Sequence, residues 1–404
     1  MLLFLFRHFV AVVAFITFVI ASFAHFGPGQ HARYARTEAA ESTSTITISL
    51  PTSVPSSTST IATTHSTSSY SILSFFTNEK KETIATTTKD IPLVFDKDNY
   101  EKRILALANR PGTITVGTTT RLAPTTTIDF LWPVKNLPYP NVGAVLPNKR
   151  IIAYYGNLYS KGMGVLGEYP EAQMLAKLDV EVKKWNAADP STEAVPALHY
   201  IAVTAQESKG YDGKYRARMP YTEIDKVIAM AAPINALVFI DIQAGLSTVQ
   251  DEVPLFEKYL KMPNVHLGID PEFYMQKSGK RPGTVVGTLD ASQINWVSNY
   301  LAKIVKENNL PPKVFVIHRF TEDMVTNYKN ITPLPEVQIV MHMDGWGGKA
   351  KKINTYEMVE RRQPVQFTGF KLFYKNDTIK SSSTLLSPEE LLKLRPRPSY
   401  IQYQ

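Results

Sequence analysis

The sequence contains no cysteine among its 404 residues. This absence excludes structural disulfides, a thiolate nucleophile, cysteine-ligated zinc and a lipid-modified N-terminal cysteine. No GxGxxG or GxxxxGK[ST] segment is present, so neither a dinucleotide site nor a P-loop is indicated. The net charge is +8, but Lys and Arg are scattered along the chain and form no dense basic stripe. We therefore expect no nucleic-acid partner.

Apolar residues fill almost all of the N-terminus, MLLFLFRHFVAVVAFITFVIASFAHF, where Arg7 and His8 are the interruptions. The stretch from Phe9 to Phe26 is about long enough to cross a bilayer as a helix. We interpret residues 1–26 as a membrane anchor or a signal peptide, with Ser22-Phe23-Ala24 as an acceptable cleavage site. Both interpretations place the rest of the protein outside the cytoplasm, either membrane-anchored through this helix or secreted.

Residues 27–90 are dominated by Ser and Thr, as in ESTSTITISLPTSVPSSTSTIATTHSTSSYS, and have too few apolar residues to bury a core. We interpret this segment as a disordered linker. Residues 91–147 carry more apolar residues and several prolines but show no sustained period. They predict an irregular extension that packs on the following domain, with a short helix from Tyr100 to Asn109.

Between residues 148 and 404, short β-rich runs alternate with longer amphipathic segments, a pattern typical of parallel strands with crossover helices. The strand candidates are RIIAYYGN, ALHYIAVTA, ALVFIDIQ, VHLGIDPEF, KVFVIHRF, VQIVMHMDGW, FTGFKLFY and SYIQYQ. The predicted helices run from Glu171 to Trp185, Tyr221 to Ala231, Thr248 to Leu260, Ala291 to Asn308, Glu322 to Lys329, Asn354 to Arg361 and Pro388 to Leu394. Eight strands in about 250 residues predict an α/β fold, a closed (β/α)8 TIM-type barrel whose last strand lies beside its first.

Polar residues gather at the predicted carboxyl ends of these strands, where catalytic side chains of such barrels lie. Because side chains at i and i+2 of a strand point the same way, several of them should share a face. A single carboxylate there is often only a helix cap, and a single buried histidine is often a core residue, so the prediction depends on their clustering. The candidates are Asp241 with Gln243, Asp270 with Glu272, His342 with Asp344, and in addition His318, Lys371 and Gln402.

The segment HLGIDPEF carries the strongest chemical signal. Asp270 and Glu272 on one face would repel each other as anions, which raises one pKa and keeps that carboxyl protonated near neutral pH. Glycoside cleavage uses such an acid together with a second carboxylate across the scissile bond, for which Asp241 and Asp344 are both candidates. Aromatic side chains near the same rim would offer stacking surfaces to sugar rings: Tyr154, Tyr155, Phe273 and Trp346.

The barrel resembles that of exported bacterial glycoside-hydrolase-like proteins, a group that includes members of unassigned activity. The resemblance covers Ile151 to Gln404 and is carried by VFIDIQAG, HLGIDPEF, VIHRF, IVMHMDGWG and YIQYQ. The Asp-x-Glu pair is similar to the acidic motifs of chitinase-like and lysozyme-like barrels, which implies a role for Asp270 and Glu272. Two departures stand out: His266 and Gly268 interrupt the longer chitinase motif, and FTGFKLFY has no glutamate.

Three functions remain open. The first is a hydrolase that acts without a cofactor on an envelope or extracellular glycan, and the second is a catalytically silent barrel that binds a glycan or another partner. The third is a metal-dependent hydrolase, for which the acceptable ligands are Asp241, His318, His342 and Asp344. We assign no metal at this point, because RIIAYYGN lacks the His-x-His pair usual after the first strand of metal-dependent barrel hydrolases.

The Ser/Thr-rich composition generates a test by limited proteolysis. We expect the fastest cuts in the full-length chain to fall between Thr37 and Thr88, because a segment without a packed core exposes its backbone to proteases. The cut sites would be read by mass spectrometry of the fragments. Protection of this stretch to the same degree as residues 148–404 would contradict the linker interpretation.

Overall fold

The computed structural model describes residues 95–116, 119–122, 126–380 and 383–404. The predicted membrane-targeting segment, residues 1–26, and the predicted linker, residues 27–90, lie outside the described residues. Across the described ranges, no helix has both the length and the apolar character needed to cross a membrane.

Eight parallel strands form a closed barrel. We number them β1 to β8 in chain order: Lys149–Gly156, Glu193–Ala205, Leu237–Ile242, Val265–Ile269, Lys313–Arg319, Val337–Met343, Phe367–Leu372 and Tyr400–Tyr403. Each strand pairs with the next, and β8 closes the barrel on β1, with Tyr400 opposite Ile151 and Gln402 opposite Ala153. The TIM-type barrel and all eight predicted strands are confirmed.

The strands are buried on both faces, as the apolar runs in the sequence require. Every residue of β5 and of β6 is buried, because one face meets the barrel interior and the other meets the surrounding helices. Three short pairings lie outside the barrel: Arg216–Arg218 runs antiparallel to the end of β2, Leu289–Asp290 pairs with Val325–Thr326, and Thr113–Val116 pairs with Thr119–Leu122.

Helices of very different length precede and connect the barrel strands. Their bounds are Lys97–Ala108, Val165–Glu168, Glu171–Ala188, Tyr221–Ala231, Val249–Glu252, Glu257–Leu260, Ala291–Glu307, Lys349–Tyr356 and Pro388–Leu391, with 3-10 turns at Thr127–Leu131, Ala232–Ile234, Val253–Phe256, Pro271–Phe273, Glu322–Met324, Tyr328–Asn330 and Asn376–Thr378 and a π-helical turn at Glu357–Arg361. The helix Ala291–Glu307 buries Ile294, Val297, Leu301 and Ile304, which lie on one face at helical spacing. Asp290 caps this helix by accepting the amide of Ser292 at 3.0 Å.

Two predicted helices differ in the structure. The segment from Thr248 to Leu260 is split by the 3-10 turn Val253–Phe256, where Pro254 has no amide proton to donate to a continuous helix.

The segment from Glu322 to Lys329 contains 3-10 turns and a two-residue strand instead of a helix. Asn327 adopts a left-handed conformation with φ of 56°, and the side chains of Thr326 and Asn327 bind the carboxylate of Asp290 at 2.8 and 2.6 Å. These side-chain bonds replace the helical ones.

The segment before the barrel covers its amino-terminal end. Leu146 exchanges two hydrogen bonds with the side chain of Gln338 in β6, at 3.0 and 2.6 Å. The helix Lys97–Ala108 reaches the same end, where the carbonyl of Leu107 accepts the amide of Arg397 at 2.8 Å. The amino-terminal mouth of the barrel is therefore closed by the chain itself.

The barrel interior changes character along its axis. Its amino-terminal half is apolar and is filled by Leu146, Ile151, Ala153, Ala197, Phe239, Val314, Val316, Val340, Phe367 and Tyr400. Its carboxyl-terminal half carries polar and charged side chains. Because the apolar half already supplies a packed core, the upper half can hold groups that cost free energy to bury.

The closing strand generates a stability test. Deleting residues 399–404 removes β8 and leaves β1 and β7 with unpaired edges, so we expect aggregation or loss of cooperative thermal unfolding, followed by circular dichroism. The control is Gln404→Ala, which keeps the backbone bonds that residue 404 makes with Leu372 and Tyr374. A deletion variant that unfolds cooperatively at the wild-type temperature would contradict the closed barrel.

Candidate active site

The polar cluster lies at the carboxyl ends of the strands, where it was predicted. Strand register brings Tyr155 opposite His199, and it brings Asp241 beside Ile201 and Gly268. Two acidic residues directly follow their strands: the amide of Asp270 donates to Ile242, and that of Asp344 donates to Arg319. Each residue thus extends the backbone hydrogen bonding of its strand by one residue before the chain turns away.

Asp241 is the most enclosed carboxylate of the cluster, with no exposed surface. Tyr155 donates its hydroxyl to Oδ2 at 2.8 Å, while His199 Nε2 and His318 Nε2 lie 3.3 and 3.6 Å from Oδ1. Burial by itself raises the pKa of Asp241, but the neighbouring His318, His199 and Tyr155 outweigh it and bring that pKa down to about 2. The carboxylate is therefore ionised.

His199 was not among the predicted site residues. Burial lowers its pKa to about 4, although Asp241 acts in the opposite direction, so its imidazole is neutral. Its Nδ1 shares a hydrogen bond of 2.6 Å with the hydroxyl of Tyr400 and lies 3.2 Å from Nε2 of Gln402. The available signal was a single histidine in the apolar strand ALHYIAVTA, a pattern that usually indicates a core residue.

His318 links the floor of the cluster to its rim. Its Nδ1 lies 3.0 Å from Oδ2 of Asp344, and its ring contacts that of His342 edge to face, with centroids 5.0 Å apart. Burial lowers the pKa of His342 well below its ordinary value, and electrostatic interactions with His318 and Lys371 lower it further. His342 is thus a neutral packing partner of His318.

Asp270 and Glu272 are neighbours for a different reason than predicted. Strand β4 ends at Ile269, so the two residues do not share a strand face. Asp270 instead caps the 3-10 turn Pro271–Phe273, and its Oδ1 accepts the amide of Glu272 at 3.0 Å. The turn, and not the alternation of a strand, holds the pair together.

The pKa of both carboxyls is raised. Burial is the largest cause for each, and repulsion from Asp344 is the next. The pKa of Glu272 rises to about 8, while that of Asp270 rises well above its ordinary value with a further contribution from Glu272. Glu272 nevertheless keeps part of its surface exposed, whereas Asp270 is buried. Glu272 is thus a protonated carboxyl in contact with solvent at the rim.

Lys371 and Gln243 complete the upper layer. The ammonium of Lys371 lies 3.8 Å from the ring centroid of Tyr155, and burial lowers its pKa although the surrounding carboxylates raise it. Gln243 donates to Tyr155 at 3.4 Å and to Asp270 at 3.5 Å. Through these long contacts Gln243 links Asp270 at the rim to Tyr155, which in turn bonds the Asp241 carboxylate on the floor.

The structure does not bring every predicted residue to this cluster. Tyr154 points outward from β1, where its hydroxyl lies 3.1 Å from that of Tyr374, so the alternation of the strand makes Tyr155 the inward residue. Trp346 and Phe273 follow the strand ends and are partly exposed. Gln402 faces inward and is fully buried against His199 and Tyr400.

Among the described residues, two groups of side chains bring ligand atoms close enough to hold a metal ion. The first is His199, Asp241 and His318, and the second is Asp270, His318 and Asp344. All five residues are buried. His342, which was predicted as a possible ligand, belongs to neither group within the part of the chain that the structure describes.

A cavity of about 530 Å³ lies at the opposite, amino-terminal end of the barrel. It is bounded by the helix Lys97–Ala108 and by the starts of β7 and β8, and most of its lining is apolar. The single carboxylate of its lining, Glu101, is bonded to Tyr139. Since acid-base chemistry requires facing titratable groups, this cavity does not compete with the carboxyl-terminal cluster as an active site.

No protein-family model matches the chain, and no curated protein matches it in sequence. Among solved structures it is similar to a GH5-4 broad specificity endoglucanase from an uncultured bacterium, at 6% identity and a TM-score of 0.29 over 55% of this chain and 77% of that one. It is also similar to the mannanase man26 of Bacillus subtilis, at 11% identity and a TM-score of 0.36 over 63% and 80% of the two chains. The chemistry must therefore be argued from the side chains themselves.

The raised pKa of Glu272 generates a stability test. The folded state binds this proton more tightly than the unfolded chain, so the stability it contributes is complete below pH 4.5 and is lost as the pH rises through about 8. Glu272→Gln cannot lose a proton. We expect the melting temperature of the variant, relative to wild type, to increase between about pH 5 and about pH 9. A difference that does not change with pH would contradict the raised pKa.

Proposed function

We propose that the barrel hydrolyses glycosidic bonds, with Glu272 as the general acid and Asp344 as the second carboxylate. The observation that carries this proposal is the protonated, partly exposed carboxyl of Glu272 at the rim of a closed barrel. A carboxyl that keeps its proton near neutral pH can protonate a leaving sugar oxygen, and a neighbouring carboxylate can stabilise the positive charge that develops on the ring.

Asp344 suits the second role better than Asp241. Repulsion from Asp344 is, after burial, the next cause of the raised pKa of Glu272, which places the two carboxyls within electrostatic reach. Asp241 has no exposed surface and is surrounded by Tyr155 and two histidines, so a sugar cannot reach it without displacing them. The pKa of Asp270 is raised well above its ordinary value, by burial and then by repulsion from Asp344 and Glu272, so this carboxyl stays protonated.

The polymer we propose as substrate is a cell-envelope or extracellular glycan. The sequence supports this choice: the apolar N-terminus and the Ser/Thr-rich segment would place the barrel outside the cytoplasm, anchored in the membrane or secreted. The carboxylate chemistry itself needs no cofactor. Export is inferred from residues 1–90 of the sequence.

A catalytically silent, glycan-binding barrel is the second candidate, and one observation favours it. Asp270, Asp344 and Lys371 are all nearly fully buried, so Glu272 is the main titratable group of the cluster that a sugar could touch without rearrangement. A binding site of this kind would use the exposed parts of Trp346 and Phe273 as apolar surfaces.

The two candidates are separated by the Glu272→Gln variant. If Glu272 is the acid, turnover of a soluble polysaccharide with a poor leaving group should fall by roughly 10²-fold or more, because glutamine cannot donate the proton. An activated aryl glycoside needs little protonation and should lose much less. Both rates would be measured from product release at several pH values, and the wild-type rate on the polysaccharide should fall above about pH 8.

Glu223→Gln is the matched control, since Glu223 is a buried carboxylate bonded to Lys226 on an outer helix. Its rates on both substrates should equal those of wild type. If the wild type binds glycans but hydrolyses none in a broad screen, and Glu272→Gln leaves that binding unchanged, the hydrolase proposal is wrong and the binding barrel takes its place.

A further inference from the structure

We propose that His199, Asp241 and His318 form a binding site for a divalent transition metal ion, and that Zn²⁺ is the ion this ligand set fits. The site lies below the rim carboxyls and is independent of the proposed hydrolase function. It requires His199, which lies in β2, to meet residues of β3 and β5 in the barrel interior.

The three ligand atoms lie within 4.8 Å of one another, and two of their separations match those of a metal site. His199 Nε2 lies 3.3 Å and His318 Nε2 lies 3.6 Å from the same oxygen, Oδ1 of Asp241. Zinc bonds of 2.0 to 2.2 Å in tetrahedral geometry hold neighbouring ligand atoms about 3.4 Å apart. The observed separations are therefore those of ligands around a shared ion, and they are longer than the hydrogen bonds that the same residues make elsewhere.

Each ligand is oriented from its far side. His199 bonds Tyr400 through Nδ1 at 2.6 Å, and His318 bonds Asp344 through Nδ1 at 3.0 Å, so both rings aim Nε2 at Asp241. The second oxygen of Asp241 accepts the hydroxyl of Tyr155 at 2.8 Å. Such outer partners fix the tautomer and the direction of metal ligands.

The atoms that would bind the ion are also the ones left without partners. His199 Nε2, Asp241 Oδ1 and His318 Nε2 are buried and make no hydrogen bond. Buried polar atoms normally have one, and orphaned atoms cost about 1 to 3 kcal/mol each. Three such atoms converging on one point identify a position where a bound cation would satisfy all of them.

Gly268 of β4 lies directly beside two of the ligand atoms. A Cβ added to Gly268 would collide with His199 Nε2 and would come within 2.6 Å of Asp241 Oδ1. Because residue 268 has no side chain, the two ligand atoms can lie this close to the backbone of β4.

The donor set decides which ion fits. Two imidazoles and one carboxylate are ligands that Zn²⁺ and related first-row ions accept, whereas Mg²⁺ and Ca²⁺ prefer oxygen ligands. Three protein ligands leave one further position on a tetrahedral ion. An ion held there would also fix His318, and through it the Asp344 carboxylate of the rim.

The test is metal binding to the full-length protein after removal of metal with a strong chelator. We expect one equivalent of Zn²⁺ to bind in a titration against a competing chelator and to raise the melting temperature, while Mg²⁺ does neither. Asp241→Asn removes the charged ligand at nearly constant volume and should weaken Zn²⁺ binding by more than about 100-fold. Tyr400→Phe removes an outer partner and should weaken it by about 10-fold.

His266→Asn is the matched control. His266 is a buried barrel histidine whose Nδ1 accepts the amide of Val314 at 3.1 Å, a bond that the asparagine carbonyl can replace, and it lies outside the three-residue site. Its Zn²⁺ affinity should equal that of wild type.

Two results would overturn the proposal: no Zn²⁺ binding by the stripped wild type at millimolar concentration, or equal binding by wild type and Asp241→Asn. Should Asp241→Asn fail to fold, Co²⁺ bound to the wild type decides the question. Visible absorption bands of a low-coordinate ion with nitrogen and oxygen ligands would support the site, and the pale spectrum of hydrated Co²⁺ would overturn it.

Discussion

The burial of the Asp241 carboxylate is the constraint on which the rest of the site depends. An ionised carboxylate without water costs several kcal/mol unless its neighbours replace the lost hydration. Here the neighbours come from three other strands: the hydroxyl of Tyr155 donates to Oδ2, and the rings of His199 and His318 face Oδ1 at 3.3 and 3.6 Å without forming a hydrogen bond. Only a closed barrel brings these strands around one point, so closure by β8 and the chemistry of the interior are linked.

A continuous series of contacts connects this buried group to the solvent-facing rim. His318 lies between Asp241 and Asp344, and Asp344 acts on the carboxyls of Asp270 and Glu272 by repulsion. A change in the charge at the floor would therefore change the proton affinity at the rim. In a low-dielectric interior such an effect is larger than it would be in water.

Small residues in two strands make room for this arrangement. A side chain on Gly268 in β4 would strike His199, and one on Gly369 in β7 would meet Nδ1 of His342 within 2.5 Å. The barrel thus alternates large polar side chains with glycines at the same height. In the apolar half below, Phe239 and Tyr400 fill the equivalent space.

The barrel could be predicted from the order of residue types, because eight β-rich runs separated by amphipathic segments leave few other ways to bury their apolar faces. The order of residue types also located the polar rim at Asp270, Glu272 and Asp344, since polar residues after buried strands are visible in one dimension. Where it failed locally, as from Glu322 to Lys329, side-chain bonds to the distant Asp290 replaced a helix.

Which of these residues meet depends on the closed fold. His199 is a single polar residue in an apolar strand, and nothing along the chain relates it to Asp241 and His318, 42 and 119 positions away. Whether Tyr154 or Tyr155 points into the barrel depends on strand register, and a slip of one residue would exchange the directions of the two side chains. Proximity across the barrel, burial and the resulting pKa values arise from the closed three-dimensional arrangement, and a linear pattern of residue types does not contain them.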